Sequence, residues 1–226
     1  MASEQQYLSC VKFDLICKEF EKEYHEYFDE HVLEWTEKPG CSQGWRTREL
    51  RRGPNEGLLE QEFWQIYCIN DPHMFRPQRP VPPATEKNPW LRDRCNWGRV
   101  YYTVLSRSPA PKVPANYWGR FEFDFKGSAA EEVSFKADWS KQLAKVAELP
   151  GVHRVWQLEF LPHDLAIGPQ AAAKYMALYE VDAPECVFDL HSNQERVPLL
   201  GKFDQKQLMP VGRHFAKVLL DLPSKD

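Results

Sequence analysis

The chain has 226 residues, 42% hydrophobic and 27% charged, with a net charge of −4 and an aromatic share of 13% that includes 8 Trp. That length fits one large domain or two small ones with a full core. A net negative charge gives no general attraction to phosphate backbones, which excludes nucleic acid as a partner, and no apolar run reaches the roughly 18–20 residues that span a bilayer.

Residues Met1 to Lys12 lack a cationic stretch followed by an apolar one, so no signal peptide is expected. The cysteines, at 10, 17, 41, 68, 95 and 186, are scattered without a CxxC, which reads as reduced thiols in a cytoplasmic protein. Tyr7 to Ile16 is an apolar, β-rich run and predicts a first strand. Phe20 to Lys38 predicts a helix, with Phe20, Tyr24, Phe28, His31 and Trp35 on one face turned to the sheet. Pro39-Gly40 ends it. Gly44 to Arg52 and Glu62 to Ile69 read as a strand pair around a turn at 53–57. A proline-rich stretch at 76–90 reads as an irregular lid, and Arg99 to Leu105 as a fourth strand. Ser106 to Pro114 is a linker. Tyr117 to Phe125 is a strand, Glu131 to Leu149 a helix with Phe135, Trp139, Leu143 and Val146 on one stripe, and His153 to Leu161, Lys174 to Val181 and His214 to Leu222 are strands.

The two halves echo each other. Phe13-Asp14 recurs as Phe123-Asp124, Pro39-Gly40 as Pro150-Gly151, and Tyr67 as Tyr179, at offsets of 110, 111 and 112 residues. A fixed period marks a repeated unit. The expected class is therefore α+β: two tandem ferredoxin-like β-α-β-β-α-β units, residues 1–107 and 108–226, forming an α+β barrel within one chain. The first repeat is the candidate active half and the second the structural half.

The stretch Glu26-Tyr-Phe-Asp-Glu-His-Val-Leu-Glu-Trp-Thr-Glu-Lys-Pro-Gly resembles the dimeric α+β barrel superfamily, especially its EthD-like branch. That branch carries an aromatic pair, an acid and a His in the first helix, then Pro-Gly. Tyr179-Glu-Val-Asp-Ala-Pro-Glu is similar to the superfamily's third-strand ending. The superfamily includes polyketide cyclases, bacterial chalcone isomerases and haem-binding chlorite dismutases, so the resemblance implies the fold and leaves the chemistry to the site.

His31 is the leading candidate. An imidazole on an apolar stripe is either a hydrogen-bonded core group or a general acid or base. Eight residues before each Pro-Gly stand His31 in one half and Gln142 in the other, so the architecture does not obviously require the imidazole. Asp71, before Pro72, is either a turn starter or the partner that orients His31, and the chalcone isomerases pair a helix His with an Asp near this strand end. Tyr24 and Tyr67 are candidate hydroxyl donors to an oxyanion. Tyr27, Trp35, Trp64 and His73 are candidate substrate-binding residues. The larger cavity is expected in the first half, lined by His31, Trp64 and Tyr67. His25 reads as solvated, and Arg46, Arg48 and Arg51 as the outward face of a strand. No HxH, HExxH, GxGxxG, GxxxxGK or GxSxG occurs, so neither a metal nor a nucleotide or dinucleotide cofactor is expected. The leading function is a cofactor-free lyase- or isomerase-type enzyme that transfers protons on an apolar aromatic or polyketide-like molecule. The alternatives are a non-catalytic small-molecule binding protein and a haem protein with His153, His163 or His191 as axial ligand. A homo-oligomer would form through outer surfaces.

Overall fold

Runs of β-branched and aromatic residues supply the strands, and two amphipathic segments supply the helices. The computed structural model describes residues 5–50, 62–76, 95–109, 113–166, 173–189, 194–195 and 208–222. In chain order these form β1 (Tyr7–Leu15), a 3₁₀ turn (Lys18–Phe20), α1 (Glu21–Thr36), β2 (Cys41–Glu49), β3 (Phe63–Ile69), β4 (Cys95–Arg107) and β5 (Tyr117–Phe125). There follow α2 (Ala129–Val146), β6 (Val152–Leu161), β7 (Tyr175–Val181), a 3₁₀ turn (Pro184–Cys186), the short pair β8 (Phe188–Asp189) and β9 (Gln194–Glu195), and β10 (Leu208–Leu222). The eight long strands are antiparallel and follow the order β4-β1-β3-β2 in the first half and β10-β5-β7-β6 in the second, while β8 and β9 pair separately. Taken in fours, β4-β1-β3-β2 and β10-β5-β7-β6 each run fourth, first, third, second, the ferredoxin-like order. Among the described residues each half carries one long helix, not two. The turn at 53–57 and the proline-rich stretch from 77 to 90 lie outside the described residues.

Residue contacts divide the chain into two units. The first is Met1–Tyr102 with Leu161–Gln170 and Leu219–Asp226; the second is Thr103–Phe160 with Ala171–Val218. In the first unit α1 buries Tyr24, Phe28, Val32 and Thr36 in a core with Phe13, Phe63, Tyr67 and Ile69. His31 and Trp35 are half-buried on the flank of that stripe. The reason is rotation: at about 100° per residue, a step of three from Phe28 to His31 turns one way and a step of four to Val32 the other. The sheet takes the Val32 side.

In the second unit α2 buries Phe135, Trp139, Leu143 and Val146 in a core with Phe123, Tyr175 and Tyr179. This helix starts at Ala129, two residues before the expected Glu131, because Ser128 caps it. The Ser128 N–H donates to Glu131 Oε2 at 2.7 Å and the Glu131 N–H donates to Ser128 Oγ at 3.4 Å. Such a reciprocal box satisfies two orphan donors of the first turn.

The recurring sequence pairs perform the same structural tasks. Asp14 Oδ1 accepts the Glu62 N–H at 2.9 Å, and Asp124 Oδ1 accepts the Lys174 N–H at 2.7 Å, so each Phe-Asp holds the start of its unit's third strand. Gly40 and Gly151 have φ of 89° and 77°. The carbonyl of Gly40 accepts the Asn70 N–H at 2.9 Å, and that of Gly151 accepts the Asp182 N–H at 2.9 Å. Registers match as well. Tyr7 faces Ile69 as Tyr117 faces Val181, and Trp45 faces Ile66 as Trp156 faces Leu178. Even the bulges agree, at Cys41/Gln43 and Val152/Arg154.

The helix–sheet joints use the same positions with different chemistry. In the first unit Arg46, 1% exposed, is paired with Asp29, and Arg48 bonds both Glu21 and Glu62 at 2.7 and 2.6 Å. In the second unit the equivalent residues are Gln157 with Ser140, and Glu159 with Glu132 and Lys174. The Lys174 ammonium reaches Glu132 at 2.8 Å and Glu159 at 3.7 Å, and Lys136 reaches Glu159 at 2.7 Å. Arg46 and Arg48 therefore point at α1, not outward. The expectation failed because strand alternation assigns two faces without saying which one a helix covers. Arg51 lies outside the described residues.

Candidate functional site

The α1 face that flanks the buried stripe carries Tyr27, His31 and Trp35, one turn apart. The His31 ring stacks on Tyr27 at a centroid distance of 5.9 Å and 16°. It meets Phe28 and Trp35 edge-on, both at 6.1 Å. Among the described residues no hydrogen bond holds either ring nitrogen. Burial is the main force that lowers the His31 pKa to about 4; Glu34 opposes it, and Lys38 and Arg99 add to it. The imidazole is therefore neutral at pH 7.

Opposite His31 the wall is aromatic and cationic. Phe75 packs on Trp35 at 4.6 Å and on Tyr67 at 5.3 Å. The Arg99 guanidinium sits 4.8 Å from the Phe75 ring centre and 6.0 Å from that of Trp97. Its Nε is buried with no hydrogen-bond acceptor among the described residues. Arg99 also acts electrostatically on His31, Tyr67 and Tyr101. Near this face, among the described residues, Arg99 combines a fixed positive charge with a buried Nε that has no acceptor. Sequence reading missed it. The only signal was a single Arg inside the apolar run of β4, Val100-Tyr-Tyr-Thr-Val-Leu, where a charge needs a reason.

The other expected residues divide. Tyr24 is fully buried beneath α1, packed on Phe28 and Phe63 at 4.6 and 4.8 Å. Tyr67 is buried and its hydroxyl donates to Gln65 Oε1 at 3.2 Å; burial pushes its pKa up, so it stays protonated. Trp64 takes the opposite face of β3 from Tyr67, three residues away on a strand of period two, with the Lys12 ammonium 4.2 Å from its ring centre. His31, Tyr67 and Trp64 therefore cannot line one cavity. Phe75 fills the space expected beside Tyr67. A small cleft in the second unit is lined by Gly119, Phe121, Tyr179 and Phe215 among others.

Asp71 does not reach His31. It is exposed and its Oδ1 accepts the His73 N–H at 2.8 Å, a turn-forming bond. His25 is half-buried rather than solvated. Its Nδ1 lies 2.9 Å from Arg46 Nη2, and burial followed by that guanidinium lowers its pKa while Glu21 opposes them. His73 faces a different group, its ring tilted against that of His163 at 4.6 Å, beside Asp164.

No protein-family model and no curated protein matches the sequence. Solved structures do match in fold. A candidate monooxygenase from Fusobacterium nucleatum superposes with a TM-score of 0.65 at 9% identity, over 99% of this chain and 96% of that one. An anthrone oxidase-like protein gives 0.61 at 9% identity, over 100% and 95%. A candidate chlorite dismutase gives 0.58 at 10% identity, over 96% and 95%. These likenesses show an α+β fold with an antiparallel sheet, and the fold alone. Among the described residues no helix is long and apolar enough to cross a membrane.

Proposed function

We propose that the protein is a small-molecule enzyme that removes a proton from an aromatic or fused-ring acid, a phenol or an anthrone-like carbon acid, at the face where His31 meets Arg99. The observation that carries this reading is Arg99: a guanidinium seated on aromatic rings, with a buried unused donor, electrostatically coupled to a neutral imidazole. The fold likeness to an anthrone oxidase-like protein and a candidate monooxygenase supports the substrate class. In this reading flat rings lie among Tyr27, Trp35, Phe75 and Trp97. The substrate C–H or O–H proton passes to a free nitrogen of His31, and Arg99 holds the enolate or phenolate oxygen.

The low pKa of His31 sets a condition. A weak base transfers little unless the anion formed is strongly stabilised, so Arg99 and the new imidazolium must both favour it. Cyclase, isomerase or oxygenase chemistry all begin from this anion. The tandem arrangement in 1–107 and 108–226 fits the division of labour, with Gln142 standing where His31 stands in the first half.

Haem enters as a second reading through the candidate chlorite dismutase. Of the expected axial ligands, His153 Nε2 is 2.6 Å from Asp182 Oδ1 and His163 packs on Tyr101 at 4.4 Å. His191 lies outside the described residues. A Soret band in purified protein would support the haem reading.

The test uses a hydroxyanthrone in deuterated buffer. Wild type should exchange the acidic C–H and show the absorbance of the bound anion; Arg99→Gln should lose the anion signal and His31→Gln the exchange. Full exchange in His31→Gln overturns the base assignment. Failure of wild type to bind any fused-ring phenol or anthrone overturns the substrate class.

A further inference from the structure

Outside the site just described, the turn after β3 and the segment after β6 place two imidazoles and a carboxylate together within the first unit. We propose that His73, His163 and Asp164 form a binding site for a borderline divalent transition-metal ion such as Zn²⁺, Co²⁺ or Fe²⁺. The donor atoms of the three residues all lie within 4.8 Å of one another. Asp164 Oδ1 is 3.3 Å from His163 Nδ1 and 3.9 Å from His73 Nδ1. Atoms bound to one tetrahedral ion at about 2.0–2.2 Å stand on the order of 3.3–3.5 Å apart, so binding needs only a small closure.

Two further features suit an ion. The Leu165 N–H donates to His163 Nδ1 at 3.0 Å and occupies that nitrogen's one lone pair, so an ion takes Nδ1 in exchange for this bond, or takes the buried Nε2, which has no hydrogen-bond partner among the described residues. The His163 ring is held in place, because its side chain is 5% exposed and packs on Tyr101 at 4.4 Å. The carboxylate is oriented too: Arg76 bonds Asp164 Oδ2 and leaves Oδ1 to the rings, as hydrogen-bonded carboxylates are held in metal sites. Two imidazoles and one carboxylate select ions of the zinc and iron type over Mg²⁺ or Ca²⁺, which prefer all-oxygen shells. His73 and Asp164 are exposed, so the remaining coordination positions face water. No spacing motif betrays the site, because its ligands sit on separate segments that only the fold brings together.

The experiment is titration of metal-stripped full-length protein with Zn²⁺ by calorimetry, and with Co²⁺ by visible absorption. Wild type should bind one ion per chain, show Co²⁺ d–d bands and melt at higher temperature with Zn²⁺. His73→Ala and Asp164→Asn alter exposed side chains and should fold normally while losing tenfold or more in affinity together with the bands. Affinity and bands unchanged in both variants would place any bound ion elsewhere and overturn the site. No binding by wild type at micromolar Zn²⁺ would overturn it outright. Neither readout depends on turnover, so the result stands apart from the fate of the His31 reading.

Discussion

Asp29 on α1 grips the guanidinium of Arg46, which is 1% exposed on β2, and the Arg46 side chain also reaches the His25 carbonyl at 3.2 Å. A buried cation is tolerable only while its partner is present. Asp29→Ala should destabilise the protein by about 1–3 kcal/mol, less than for a fully buried pair because Asp29 is half exposed. The equivalent pair in the second unit is Ser140 with Gln157. The double variant Asp29→Ser, Arg46→Gln should therefore recover most of the loss. Urea unfolding of the two single variants and the double closes the cycle, and strict additivity would show that the two sites do not interact.

The imidazole of His31 predicts a pH dependence. Its pKa in the folded chain, about 4, lies below the unfolded value of roughly 6.5. Between those values the unfolded chain binds more protons, so stability falls as pH drops from about 6.5 toward 4 and is fully present above that window. His25 and His163 shift the same way. In thermal melts from pH 7.5 to 4.5, His31→Gln should lose less stability than wild type. An identical slope in the two proteins would mean that His31 titrates normally.

Tyr67 and Arg99 should separate cleanly. Tyr67→Phe removes a hydroxyl that donates to Gln65 and should cost about 0.5–1.5 kcal/mol, with turnover on a fused-ring substrate nearly unchanged. Arg99→Gln should lose roughly 10²-fold or more in kcat/KM, the scale of one oxyanion donor, with a small change in melting temperature. Equal losses in the two variants would return the oxyanion role to Tyr67.

The Pro-Gly turns predict a backbone effect. A Cβ at Gly40, where φ is 89°, would stand 2.5 Å from Asn70 Oδ1, and one at Gly151 would stand 2.5 Å from Cys186 Sγ. Gly40→Ala and Gly151→Ala should each cost about 1–3 kcal/mol in denaturant unfolding. Gly127→Ala is the comparison without positive φ. A cost below 0.5 kcal/mol at both turns, roughly the surface average, would mean that the turns relax freely.

The strands and both helices were legible because they rest on local periodicity, and the Phe-Asp, Pro-Gly and Tyr pairs mark positions where the two halves share hydrogen bonds. The candidate site was legible only on α1. His31 stood out by its spacing, whereas Arg99 lies on a distant strand and gains its meaning from Phe75 and Trp97. Arg46 and Arg48 were misread for the same reason: their partners Asp29 and Glu21 are on another element. Asp71 matched a pattern whose commonest cause, a turn, is the one the hydrogen bond to His73 shows.

The exchanged charges at the two helix–sheet joints act as an address. Docked on β6, α1 would put His25 where Lys136 bonds Glu159; docked on β2, α2 would put Ser140 where Asp29 holds the buried Arg46. Each wrong pairing leaves a charged strand residue without its partner, while the apolar stripes alone, Tyr24-Phe28-Val32 and Phe135-Trp139-Leu143, are similar enough to be confused. A folding chain that holds two similar sheets and two similar helices is thereby favoured to match each helix with its own strands.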